Sequence, residues 1–128
     1  MSALLTSAAI GVGGAAGAVL RYWLSLAVTR ALAATGFPAG TLAVNALGSF
    51  LIGLLSVVLM ERLAQDPVWR ALVLVGLLGG FTTFSTFSLE TIKLLESGRL
   101  VCATANILAS VLLCLVFAWI GLVVGRRL

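Results

Sequence analysis

The chain has 128 residues, of which 62% are hydrophobic and 9% are charged, and its mean hydropathy is +1.23. A soluble domain usually carries about a quarter charged residues, and a domain of this length still exposes about a third of its surface. The solvent must therefore be lipid, which excludes a soluble enzyme, a disordered tail and a nucleic-acid-binding domain. The net charge of +4 comes from eight cations and four acids. These cations are too scattered for a nucleic-acid stripe and fit loop and headgroup anchors.

The ionisable residues exclude the common catalytic sites. The chain has no His. Its acids are Glu61, Asp66, Glu90 and Glu96. No Ser-His-acid constellation, His-based metal site or close pair of buried carboxylates is available. Cys102 and Cys114 lie in one apolar stretch, about 18 Å apart if it is helical, which is too far for an intrahelical disulfide. We interpret them as small apolar packing residues.

Four stretches without a charged residue predict four transmembrane helices. They cover residues 1–20, 31–60, 71–89 and 100–125, and each can hold the ~20 apolar residues that cross a bilayer. Pro38 lies between two glycines, so we expect the second helix to begin near Thr41. The first stretch is too long for a signal peptide and no Lys or Arg precedes it. We therefore predict an all-α fold, a single domain over residues 1–128 with spans at about 3–33, 41–60, 70–93 and 100–125.

Glycine spacing indicates close helix packing. Residues 11–16 fit the dinucleotide pattern G-x-G-x-x-G/A, but no strand precedes them and no acid follows about twenty positions on. Small residues four apart allow helix backbones to approach in lipid. Such pairs are Gly13/Gly17, Gly76/Gly80 and Gly121/Gly125.

The loop charges predict insertion in both orientations. With four spans, the N-terminus, the 61–70 loop and the C-terminus share one side. That side carries Arg62, Arg70, Arg126 and Arg127, and the other carries Arg30, Lys93 and Arg99. A difference of one cation barely biases insertion. The sequence therefore favours a dual-topology, antiparallel homodimer; the alternative is a fixed orientation set by another feature.

Several polar residues interrupt the apolar spans. Arg21 follows twenty uncharged residues, and an Arg at mid-membrane costs about 2.5–3.5 kcal/mol on insertion scales. It either ends a span or lies at the mouth of an anion pathway, and the lack of a nearby acid in the sequence favours the second. Two polar stripes at helical spacing are Thr41, Asn45, Gly48 and Ser49, and Asn106, Ser110 and Cys114. Such stripes hold helices together or line a wet path, and spacing alone favours the first.

Residues 79–88 of the third span read GGFTTFSTFS and predict a broken helix. Glycine costs about 1 kcal/mol against Ala in a helix, and hydroxyl residues favour caps, so we expect a half-helix capped near Thr82 or Thr83. Irregular backbone at membrane depth survives where it is buried in protein or lines a cavity. Phe84 and Phe87 share a face beyond the break, and the positive edge of an aromatic ring can favour an anion. Core packing remains the alternative for these two rings.

The segment GGFTTFSTF at residues 79–87 resembles, without a mismatch, the third-helix signature G-G-x-T-T-F-S-T-F of the Fluc (CrcB) family of fluoride channels. Gly17 through Arg21 and Tyr22 on the first helix, and GTLAVN at 40–45 with Gly48 on the second, support the resemblance. It covers nearly the whole chain.

The resemblance implies an antiparallel homodimer with two fluoride pores along the subunit interface. Phe84 and Phe87 would be edge-on fluoride ligands, Asn45 the pore amide and Arg21 a residue of the vestibule. The remaining pore residues would be the hydroxyls of Thr41, Ser110, Ser85 and Ser88, with Glu90 near the path. Backbone carbonyls of Gly79 and Thr82 from both subunits would hold one structural sodium ion that is not transported. The fourth helix departs from the family, because Asn106 stands where some members carry Tyr and Cys114 where some carry a hydroxyl.

The function that the resemblance implies is passive export of fluoride from the cytoplasm, which lowers its toxicity, through a bacterial inner membrane. The partners would be a second copy of the chain, fluoride and the lipid bilayer, with no nucleic acid. One alternative is a small dual-topology multidrug transporter, which needs a membrane-embedded carboxylate to exchange protons for cations. Glu90 lies only at the edge of a span. A second alternative is a structural subunit, which would not need Phe-Ser-Thr-Phe after two glycines.

Overall fold

The computed structural model describes residues 2–62 and 66–128, with the backbone alone for Arg62. Within these residues, four helices are long and apolar enough to cross a membrane: Ala3–Ala31, Ala39–Glu61, Pro67–Glu96 and Leu100–Arg127. The prediction of an all-helical protein with four spans is confirmed. Part of the expected 61–70 connection, residues 63–65, lies outside the described residues.

The first two spans meet at a short turn. Helix α1 (Ala3–Ala31) begins at Ser2, whose hydroxyl accepts from the N–H of Leu5 at 3.2 Å. A 3₁₀ turn, Ala33–Thr35, follows and ends at Gly36, which has a left-handed φ of 64°. Helix α2 (Ala39–Val57) starts directly after Pro38 and continues as π-helical turns over Val58–Arg62. It starts slightly before the expected Thr41, because Pro38 suits the position that precedes a helix.

The third span consists of several segments. It contains α3 (Pro67–Arg70), π-helical turns over Ala71–Leu77, α4 (Leu78–Phe81) and α5 (Phe84–Glu96). Thr82 and Thr83 have extended backbone angles between α4 and α5. Both glycines lie inside α4, and the residue that caps α5 is Thr83, one of the two expected cap residues. A Cβ on Gly80 would lie 2.5 Å from the carbonyl oxygen of Gly14, so close packing explains this glycine.

Close approach of helix backbones holds the spans together, as the glycine spacing predicts. A Cβ on Gly17 would overlap the carbonyl of Leu77, which joins α1 to the third span. A Cβ on Gly53 would overlap the carbonyl of Ala118, and α6 (Leu100–Arg127) therefore packs closely on α2. Helix α5 is packed less closely, because only Thr91 and Leu94 are buried on it.

The turn between α5 and α6 is tied to the turn between α1 and α2. Gly98 has a left-handed φ of 78°, and Arg99 follows it. The Arg99 guanidinium donates to the carbonyls of Gly36 at 2.8 Å and Thr35 at 3.3 Å, and to the Cys102 sulfur at 3.2 Å. This contact joins two turns that are more than sixty positions apart in the chain.

Candidate functional site

A cavity of about 400 Å³ lies beside the extended residues of the third span. It is bounded by the second, third and fourth spans. Its lining residues are Asn45, Gly48, Ser49, Ile52, Thr82, Thr83, Phe84, Phe87, Ser110, Val111, Cys114 and Leu115. The cavity thus brings together Asn45, Phe84, Phe87 and Ser110, which the sequence placed on three different spans. Its wall is mostly apolar with a few polar groups, as is usual for small-ligand sites.

The two aromatic residues lie side by side at this cavity. The ring centroids of Phe84 and Phe87 are 5.4 Å apart and their planes are inclined by 48°. Phe84 is 77% exposed in the single subunit, so most of this residue is uncovered. An uncovered ring edge carries partial positive charge and can contact an anion without a formal charge on the protein.

Asn45 of α2 binds the backbone of Thr83. Its Oδ1 accepts from the Thr83 N–H at 2.7 Å, and its Nδ2 donates to the Thr83 carbonyl at 2.9 Å. Both polar ends of the amide are therefore engaged, while the second proton of Nδ2 has capacity for a further acceptor. The polar stripe on α2 predicted that Asn45 either holds helices together or lines a pathway. The Asn45 side chain does the first through Thr83, and its position in the cavity wall allows the second.

Thr83 is a site residue that sequence reasoning named only as a candidate cap. Its hydroxyl accepts from the Thr86 N–H at 3.2 Å, which caps α5. The same oxygen lies 3.0 Å from the Thr86 hydroxyl, to which it donates, and 3.3 Å from that of Ser85. Thr83 lines both this cavity and the next. Only its position after the glycines, in a run of hydroxyl residues, could have indicated this role.

A second cavity, of about 320 Å³, contains Arg21 among hydroxyl residues. Its polar lining residues are Arg21, Tyr22, Ser25, Thr29, Thr41, Thr83 and Thr86. A third cavity, of about 370 Å³, has Thr41, Glu90 and Lys93 in its wall. Thr83 is common to the first and second cavities, and Thr41 to the second and third. The three cavities therefore follow one another along the subunit.

Thr41 and Glu90 meet between the second and third spans. The Thr41 hydroxyl donates to Glu90 Oε1 at 2.8 Å. The other carboxylate oxygen, Oε2, is buried and has no hydrogen-bond partner among the described residues. An anion at this point would compete with the carboxylate for the single hydroxyl proton of Thr41.

Three predicted site residues line none of these three cavities. The Ser88 hydroxyl donates to the Phe84 carbonyl at 2.9 Å on the same helix. Ser85 lies beside the Thr83 hydroxyl. Gly79 is exposed on α4, and a Cβ there would meet no atom within 4 Å.

Residues 8–122 match the family model described as "CrcB-like protein, Camphor Resistance (CrcB)". Three similar curated proteins are each named "Fluoride-specific ion channel FluC". The protein of Methylococcus capsulatus is 53% identical over 120 residues, which is 94% of this chain and 52% of that relative, so the match spans about half of its length. The protein of Magnetococcus marinus is 56% identical over 117 residues, 91% of this chain and 94% of the relative. The protein of Geobacter sulfurreducens is 50% identical over 125 residues, 98% of this chain and 100% of the relative.

Proposed function

The chain belongs to the CrcB-like family, and from this membership we infer that it is a fluoride-specific ion channel. It is an integral membrane protein with four spans, and it conducts an ion and is not an enzyme. The relatives that carry the channel name match 91% and 98% of the chain at about half identity, so the multidrug-transporter alternative is not favoured. The observation that carries the function is the cavity that Phe84 and Phe87 line together with Asn45 and Ser110.

The proposed pathway stabilises a dehydrated anion by partial charges. Fluoride at the first cavity would contact the ring edges of Phe84 and Phe87 and accept from the free amide proton of Asn45 and from the hydroxyl of Ser110. Arg21 in the second cavity supplies a positive potential that attracts the anion. Thr41 and Glu90 lie at the far end of the series of cavities, and Ser85 and Ser88 complete the proposed set of hydroxyls.

We also propose the antiparallel, dual-topology homodimer. The support is the exposed ring of Phe84 and the loosely covered helix α5, whose large apolar residues Leu89 and Ile92 are exposed as well. A second copy packed on this side would enclose the first cavity. The nearly balanced loop cations are compatible with equal insertion of both orientations.

We propose that the interruption at Thr82 and Thr83 is a functional break of the third helix that supports a structural sodium site. The Thr82 N–H makes the last helical bond, to the Leu78 carbonyl at 3.0 Å. In a continuous helix the Thr83 N–H would donate to the Gly79 carbonyl, but it donates to Asn45. The Gly79 carbonyl therefore does not accept from the Thr83 N–H. This carbonyl and that of Thr82, which has extended backbone angles, supply oxygen ligands of the kind that a hard monovalent cation prefers. Such an ion, when bound, would supply fixed positive charge between two copies and would not be transported.

The direction of transport follows from the membrane potential. An inside-negative potential is worth ~2.3 kcal/mol per charge per 100 mV and drives a permeant anion out of the cytoplasm. We place the protein in the inner membrane of a bacterium, where hydrogen fluoride that enters as a neutral acid and dissociates would be exported as fluoride.

The test is efflux from liposomes that contain the purified protein. Fluoride should leave rapidly under a potassium-driven potential, while chloride should be retained. Liposomes without protein, and liposomes with the double variant Phe84→Ile/Phe87→Ile, are the controls. Proton-coupled exchange of a cationic dye without fluoride efflux would contradict the proposal and favour the multidrug-transporter alternative.

A further inference from the structure

Asn106 is buried in the fourth span and connects two of the walls of the first cavity. It is 2% exposed and is not one of the residues that line the cavity. Its Nδ2 donates to Thr91 Oγ1 on α5 at 2.9 Å, and its Oδ1 accepts from the Ser110 hydroxyl on α6 at 3.4 Å. The Thr91 hydroxyl donates in turn to the Phe87 carbonyl at 2.8 Å. A chain of hydrogen bonds therefore runs from Phe87 to Ser110 through Asn106.

Helix α5 depends on such polar contacts for its position. Its apolar residues are mostly exposed, and only Thr91 and Leu94 are buried. Among the described residues, two side-chain pairs join α5 to other spans, Glu90 with Thr41 and Thr91 with Asn106. The second pair is fully buried. A buried polar group without its partner costs more than the net value of the hydrogen bond that it loses, so this pair restrains the distance between α5 and α6.

The bond between Ser110 and Asn106 has a different character. A hydroxyl has a single proton, so Ser110 can donate it either to Asn106 or to an anion in the cavity. At 3.4 Å the bond to Asn106 is long and correspondingly weak. Asn106 thus orients the Ser110 hydroxyl when no anion is present. When an anion enters the cavity, the Ser110 hydroxyl can exchange this weak hydrogen bond for one to the anion with little loss of free energy.

We propose that Asn106 is a positioning residue of the fluoride pathway. Through Thr91 it holds Phe87 at a fixed distance from Ser110, and it accepts the hydrogen bond of the Ser110 hydroxyl when no anion is present. Asn106 itself does not contact the anion. This inference rests on the proposed function. It assigns a role to the residue at which the fourth helix departs from the family, and it assigns Thr91 as the residue through which Asn106 acts on Phe87.

The test is a double-mutant cycle of Asn106→Leu and Thr91→Val, measured as fluoride efflux per reconstituted protein and as yield of folded protein. We expect each single variant to slow efflux by about tenfold, and the double variant to be no slower, because one network is removed in all three. Thr91→Ser keeps the hydroxyl and should conduct at the wild-type rate. Thr104→Val is the matched control, since Thr104 is exposed on α6.

Wild-type efflux in Asn106→Leu or Thr91→Val, or additive losses in the double variant, would overturn the proposal. If Asn106→Leu does not fold, the comparison of Thr91→Val with Thr91→Ser is sufficient to test the proposal. A second readout is independent of transport: the ¹⁹F resonance of 4-fluorophenylalanine at position 87 should shift or split in Thr91→Val and remain unchanged in Thr104→Val. An unchanged resonance in Thr91→Val would overturn the positioning role. Absence of efflux in the wild type would instead contradict the proposed function.

Discussion

Gly48 on α2 lies directly against the side chain of Thr82, so that a Cβ on residue 48 would overlap Thr82 Cγ2. Thr82 is the first extended residue after α4. The absence of a side chain at Gly48 therefore determines how closely the second span can approach the interrupted part of the third span.

Gly48→Ala should destabilise the protein by about 1–3 kcal/mol through overpacking and should reduce fluoride efflux, because Thr82 must move. Gly11→Ala is the matched control, since a Cβ there meets nothing within 4 Å and Ala favours a helix by about 1 kcal/mol. Thermal unfolding in detergent and liposome efflux measure both effects. Equal behaviour of the two variants would show that the contact at Gly48 has no consequence.

Asn45→Asp should lower both stability and efflux. The carboxylate can still accept from the Thr83 N–H but cannot donate to the Thr83 carbonyl, and leaving a buried acceptor unpaired costs about 1–3 kcal/mol. A negative charge in a low-dielectric path also repels fluoride. Asn45→Ala removes the contact with no charge and should retain more efflux than Asn45→Asp. The control is Ser56→Ala, at a residue of α2 whose hydroxyl donates to the Gly53 carbonyl of the same helix and which lines none of the three cavities. If both Asn45 variants fold and conduct like the wild type, Asn45 does not belong to the pathway.

Phe84→Ile and Phe87→Ile should each slow fluoride efflux by about tenfold or more. Each keeps an apolar side chain of similar volume, at a cost in stability below about 1.5 kcal/mol, but removes the positive ring edge. Phe117→Ile, at an exposed aromatic residue of α6, controls for loss of a ring elsewhere. Normal efflux in both pathway variants would assign the two rings to packing.

Fusions of a topology reporter to the C-terminus should be active on both sides of the membrane. Additional lysines in the 61–70 loop should shift the population to one orientation, and the resulting protein should lose function when expressed alone. Co-expression with a copy biased in the opposite direction should restore it. A single orientation that added lysines leave unchanged would contradict the antiparallel dimer.

Replacing sodium by a large organic cation should reduce fluoride efflux, and no sodium flux should accompany fluoride. Gly79→Ala provides an independent test, because a Cβ on Gly79 meets nothing within 4 Å in the part of the subunit that the structure describes. The variant should therefore fold normally as a subunit and lose activity only through crowding of the proposed ion or the second copy. Full efflux after thorough removal of sodium would show that no such ion is needed.

The spans and their close crossings could be predicted from the sequence, because lipid forces backbone groups into helices and small residues at fixed spacing mark where helices touch. Gly17 and Gly80 illustrate this, since both meet backbone of the neighbouring span. The cap of the second half of the third span was expected at Thr82 or Thr83, and Thr83 caps α5, but the partner of Thr83 on α2 could not be predicted. The helix ends where the Thr83 N–H donates to the Asn45 side chain. The composition of the third span alone does not show that a side chain of another span competes for this N–H.

Pairings between spans were likewise beyond prediction from the sequence. Asn106 belongs to the polar stripe of the fourth span and Thr91 to no pattern noted in the sequence, and their contact depends on how far each helix is rotated and shifted. Helical periodicity determines which residues of one helix share a face, but not which residue of another helix faces them. The site residues that were assigned by resemblance therefore remain predictions, whereas the structure adds Thr83 to the cavity wall and motivates the proposal for Thr91 and Asn106.

The contact of Arg99 with the carbonyls of Thr35 and Gly36 has a consequence for folding in an asymmetric bilayer. A juxtamembrane arginine ordinarily finds its partners among anionic lipid headgroups, which are concentrated in one leaflet. The Arg99 guanidinium instead donates its hydrogen bonds to groups of its own chain. These contacts reduce the dependence of this turn on anionic headgroups, which is compatible with the proposed insertion in both orientations.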